Sequence, residues 1–102
     1  MTLKEIEEEY KAVFNESRNK YEQRLIEILK EYGLYDVDVR EIKTGKIGRI
    51  VIMPCSYDSI RCEYKFKPYN KKGKLTMKYY NIYFFSEEAA RKVLATEYER
   101  CV

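Results

Sequence analysis

The chain has 102 residues, 45% hydrophobic and 36% charged, with a formal net charge of +3. That length builds one core, so a single α+β domain over residues 1–102 is expected, and the apolar fraction belongs to a folded chain rather than a disordered one. With no histidine, the usual general base and the commonest zinc ligand are excluded.

The charge is unevenly placed. Residues 1–32 carry a net −2, residues 33–58 net 0, residues 59–85 net +6 and residues 86–102 net −1. The positive excess therefore lies in one segment, an asymmetry that matters for steering a charged partner.

The first element is a long amphipathic helix. Thr2 and Glu5 form a capping-box pair at its start, and Glu5, Glu7, Glu8 and Glu9 suit the positive end of the helix dipole. Leu3, Ile6, Tyr10, Val13, Phe14, Tyr21, Leu25, Ile28, Leu29 and Tyr32 recur at steps of three and four, which puts them on one stripe. Gly33 supplies a left-handed terminator. About 31 residues at 1.5 Å make a rod of about 46 Å, longer than a strand of ordinary length. Either the helix breaks near Asn15–Asn19, where Ser17 interrupts the stripe, or its first half overhangs the sheet.

After Gly33 the period becomes two. Tyr35, Val37 and Val39 alternate with Asp36, Asp38 and Arg40 in a first strand, and Lys43–Lys46 supplies a turn. The second strand, Ile47–Met53, is apolar on both parities and reads as central. Pro54 stops it and "CSYDS" turns the chain. In the third strand Ile60, Cys62, Tyr64 and Phe66 alternate with Arg61, Glu63, Lys65 and Lys67. "NKKG" (70–73) is the next turn, and the fourth strand is expected over 74–85. Ser86 caps a short second helix with Ala90, Val93, Leu94 and Tyr98 on its apolar face. The expected fold is α-β-β-β-β-α: a four-stranded antiparallel meander with both helices packed on one face.

No catalytic constellation emerges. Cys55, Cys62 and Cys101 lack CxxC spacing and make a poor tetrahedral set, so no cofactor or metal is expected. Asp36 and Asp38 share one strand face, where they read as polar residues on the outer side of a half-buried strand. "TGKIG" (44–48) lacks the glycines and the ending of a phosphate loop. An enzyme is not expected. The acidic N-terminus and odd cysteine count favour a reducing, cytoplasmic setting with no membrane partner.

One segment stands out. "EYKFKPYNKKGKLTMKYY" (63–80) holds six lysines and five aromatic rings, with Glu63 its lone acid. A four-residue turn pairs Tyr69 with Lys74, Phe66 with Met77, Tyr64 with Tyr79, Cys62 with Asn81 and Ile60 with Tyr83, which sets apolar residues against apolar ones. That register assigns Tyr64, Phe66, Met77 and Tyr79 to the core. It collects Lys65, Lys67, Lys78 and Tyr80 on the opposite face, beside Lys71, Lys72 and Lys74 at the tip and Tyr69 nearby. Lysines attract phosphates and an exposed ring can stack a base. The expectation is a binding module for nucleic acid or a nucleoprotein complex. The alternative is a protein-binding inhibitor or adaptor, or a homodimer, acting through the first helix or the outer sheet face. In style this resembles the small inhibitors of phage and mobile elements, anti-CRISPR proteins among them, although no motif matches one such family. The element order also resembles a double-stranded-RNA-binding domain, but Ser86-Glu87-Glu88-Ala89 stands where that family carries lysines. The first helix is also too long and there is one strand too many, so that resemblance is rejected.

Overall fold

A computed structural model describes residues 1–55 and 61–101. The first helix, α1, runs unbroken over Leu3–Glu31. Its start is held by Thr2, whose hydroxyl accepts from the Glu5 N–H at 3.2 Å. Its end is a Schellman arrangement: Gly33 sits at φ 69°, the Gly33 N–H reaches the Lys30 carbonyl, and the Leu34 N–H reaches the Leu29 carbonyl. Only the C-terminal half is docked, with Leu25, Ile28 and Leu29 buried. Of the two expectations for Asn15–Asn19, the overhang is what the structure adopts.

Among the described residues the sheet has five strands, all antiparallel, in the order β4-β3-β2-β1-β5. They are β1 (Val39–Glu41), β2 (Ile47–Pro54), β3 (Cys62–Pro68), β4 (Tyr80–Ile82) and β5 (Tyr98–Arg100), with α2 (Glu87–Glu97) between the last two. The α+β class is as expected, but the strand count of four is corrected to five. Tyr98 leaves the second helix and starts β5, which pairs with β1 on the far edge. The Tyr98 ring still reaches the core there, packing on Phe66.

Two strands are shorter than expected. Asp36 adopts φ 53°, a turn conformation that no strand residue keeps, so β1 begins only at Val39. The fourth strand shrinks to three residues because the turn and the segment after it consume more chain than a four-residue loop. Asn70 and Lys74 close a three-residue loop, Asn70 N–H to Lys74 carbonyl at 2.7 Å, with Gly73 at φ 75°; this is a type I turn with a bulge. Tyr69 then bridges Leu75. Between that bridge and the Phe66–Tyr80 pair, the returning chain carries two more residues than β3. Thr76 anchors the excess, its hydroxyl within hydrogen-bond distance of the Pro68 and Lys78 carbonyls. The total slip from the expected register is three, an odd number, so side chains change faces.

The core lies between the helices and one sheet face, and contains Val39, Ile50, Cys62, Tyr64, Phe66, Ile82, Phe84, Ala90 and Leu94 with the α1 residues. Tyr64 and Phe66 are buried as expected, whereas Met77 is 94% exposed and Tyr79 47% exposed. Their assignment to the core is corrected by the slipped register. The Tyr64 hydroxyl donates to the Leu25 carbonyl at 2.6 Å and ties α1 to β3. Between the helices, Arg24 grips Glu87 through two nitrogens at 2.7 and 3.1 Å, and Arg91 reaches both Glu31 and Glu87. The expected "CSYDS" turn and the Ile60–Tyr83 pairing involve residues 56–60, outside the described residues. Among the described residues, no helix is long and apolar enough to cross a membrane.

Candidate functional site

An antiparallel meander returns alternate turns to the same end of its sheet. Gly48, at the start of β2, sits between Val39 of β1 and Pro68 of β3. The turn from β1 to β2 and the turn from β3 to β4 therefore project from one end. The first is shaped by Gly45 at φ 73°, whose N–H reaches the Glu41 carbonyl at 2.8 Å, and by Thr44, which donates to the Glu41 carboxylate. It exposes Lys43 and Lys46. In the second, the Asn70 side-chain oxygen accepts from the Lys72 and Lys74 N–H groups at 2.9 and 3.0 Å. That fixed loop exposes Lys71, Lys72 and Lys74.

The eight candidate residues divide into four groups, of which Tyr80 alone is the last. Lys71, Lys72, Lys74 and Lys78 are exposed, Lys67 is half-buried beside them, and among the described residues none of the five forms an ion pair. Lys65 is withdrawn: it is 8% exposed, pairs with Glu63 at 3.0 Å, contacts the Asn81 side chain, and lies over the Tyr79 ring. Tyr69 is also committed. Its hydroxyl donates to Asp38 at 2.5 Å and accepts from Arg49 at 3.1 Å. The Tyr69 bond, helped by Arg49, holds the Asp38 carboxyl below its usual range, and the same bond pushes the Tyr69 hydroxyl up. Asp36 joins this cluster through Arg49 at 3.2 Å.

Tyr80 does not share a face with Lys65 and Lys67. It pairs with Phe66 and takes the helix-side parity, which corrects the expected single face. It stays 47% exposed at the open end. There Lys46 donates to its hydroxyl at 3.1 Å and lies 5.0 Å from its ring centroid. Lys43 and Lys46 were missed by reading the basic segment alone; the signal that finds them is the parity of turns in a meander. The acids near this end include Glu41, which accepts from Thr44 and from the Tyr98 hydroxyl, Glu97 at the end of α2, Glu99, which accepts from Arg40, and Asp38, which is held by Tyr69 and Arg49.

The site is thus a cationic rim around an exposed ring. A separate cavity of about 270 Å³ lies between α1, the start of α2 and Phe84. Arg61 lines it, donating to the Phe84 carbonyl at 3.0 Å, and it is smaller than most ligand pockets. Among the described residues, no group of three or more Cys, Asp or Glu side chains is arranged to hold a metal ion. Comparison of the chain with family models, with curated proteins and with solved structures gives no match.

Proposed function

We propose that the protein is a non-enzymatic binding module whose lysine-rich sheet end contacts a polyanion, either nucleic acid or a nucleoprotein complex. The observation that carries this reading is the convergence of two turns. Lys43 and Lys46 from one join Lys71, Lys72 and Lys74 from the other, with Lys67 and Lys78 alongside. Seven ammonium groups, none of them in an ion pair among the described residues, favour phosphate contact through charge, without base readout. Tyr80, about half exposed with Lys46 lying over its ring, offers exposed ring surface on which one base can stack.

The test is fluorescence anisotropy with labelled single- and double-stranded oligonucleotides at fixed salt. Changing Lys71, Lys72, Lys74 and Lys78 together to Glu should weaken binding by roughly two orders of magnitude or more, as expected when several phosphate contacts become repulsions. Lys92→Glu on α2 should have little effect. Retained affinity in the fourfold variant contradicts the reading. These side chains are exposed, so an unchanged urea midpoint would show that loss of binding is not loss of fold.

A further inference from the structure

The projecting half of α1 carries a second surface. Leu3, Ile6, Tyr10 and Val13 are 80%, 48%, 64% and 63% exposed. Their spacing is three-four-three, so they form one seam along about 15 Å of helix. Tyr10 and Phe14 are already packed edge to face at 4.3 Å, so part of the seam is preorganised. With Leu3 and Ile6 taken as the two apolar positions of a heptad, Glu7 and Glu9 occupy the two flanking positions that face a partner helix, and Glu5 and Glu8 lie further out. Among the described residues, none of these four acids forms an ion pair.

We propose that this overhang docks a basic amphipathic helix of another protein, with apolar side chains set into the seam and Lys or Arg facing Glu7 and Glu9. A second copy of this chain fits the seam poorly. The antiparallel arrangement that aligns all four apolar residues sets Glu7 against Glu7 and Glu9 against Glu9. A parallel arrangement lays two acid-rich segments side by side with no flanking base to offset them. Like charges at such positions disfavour pairing, whereas a basic partner turns both flanks into attractions. The proposal is independent of the lysine-rich end, since it uses the opposite sign of charge on a different element.

The probes are two synthetic helical peptides with the same leucine seam, one with lysine and one with glutamate at the flanking positions. Binding to the full chain is measured by anisotropy, and the chain's own association state by sedimentation. The lysine peptide should bind at least tenfold more tightly than the glutamate peptide. Ile6→Asp with Val13→Asp should abolish binding, with an unchanged urea midpoint because both residues are exposed. Glu7→Lys with Glu9→Lys should reverse the preference between peptides. Absence of binding, equal binding of both peptides, or a neutral-pH homodimer that Ile6→Asp disperses would each overturn the proposal.

Discussion

At the scale of single residues, the positions that matter most are those where one atom decides a contact. An added Cβ at Gly48 would lie 2.0 Å from the Lys67 carbonyl oxygen and 2.6 Å from the Pro68 Cα. Both are backbone atoms, so no rotamer change relieves the clash. Gly48→Ala must therefore move β3 away from β2 at the end where the two turns converge, and should lower the thermal midpoint sharply and weaken polyanion binding together. A wild-type midpoint in that variant would contradict the close approach. Tyr64 is a milder case. Its buried hydroxyl holds one bond to α1, so Tyr64→Phe should cost about 1 kcal/mol in urea unfolding, the usual net worth of a single neutral hydrogen bond.

At the scale of elements, the clamp between α1 and α2 makes stability depend on pH. The hydrogen bonds from Arg91 to Glu31 and from Arg24 to Glu87 hold both carboxyls below their ordinary range, against a smaller opposing effect of desolvation. A depressed folded-state pKa contributes stability that is present above the unfolded value of about 4.3 and is lost as pH falls through the folded value. Urea midpoints should therefore hold from neutral pH to about 5 and drop below about 4. Glu87→Gln should flatten that drop while lowering the midpoint at pH 7. An identical acid limb in wild type and variant would contradict the clamp.

The same scale shows what the sequence made legible. Thr2, the three-four spacing and Gly33 define α1, and apolar residues on both parities mark β2 as central. Ser86 marks the start of α2, where its hydroxyl accepts from the Ala89 N–H. β5 could not be read because Tyr98 fits a helical stripe after Leu94 equally well, and its three residues become a strand only by pairing with β1. The hairpin register failed for a local reason. The two extra residues before β4 are held by Thr76 and a bulged turn, and neither leaves an apolar-pattern signature. For the site, the exposed lysines at the tip were legible. The withdrawal of Lys65 and the commitment of Tyr69 to Asp38 depend on neighbours brought in by tertiary structure.

At the scale of the whole molecule, shape and charge are both polarised. The extents are 56 × 32 × 21 Å and the radius of gyration is 16.2 Å, well above the about 13 Å of a compact chain this size. The excess comes from the acidic, apolar-striped overhang of α1. The exposed lysines of the two turns lie at one end of the sheet instead, so the two proposed surfaces differ in sign of charge. A net charge of +3 hides this division, which explains why composition alone says little about partners.

Phosphate contact at the sheet end would make duplex binding depend on salt, and a titration of affinity against salt concentration reads that dependence. If about four lysines each displace a counterion, the logarithm of the association constant should fall against the logarithm of salt with a slope of about −3.6. Lys72→Ala should flatten that slope by about 0.9. A slope near zero, or one that the fourfold charge reversal leaves unchanged, would contradict the account.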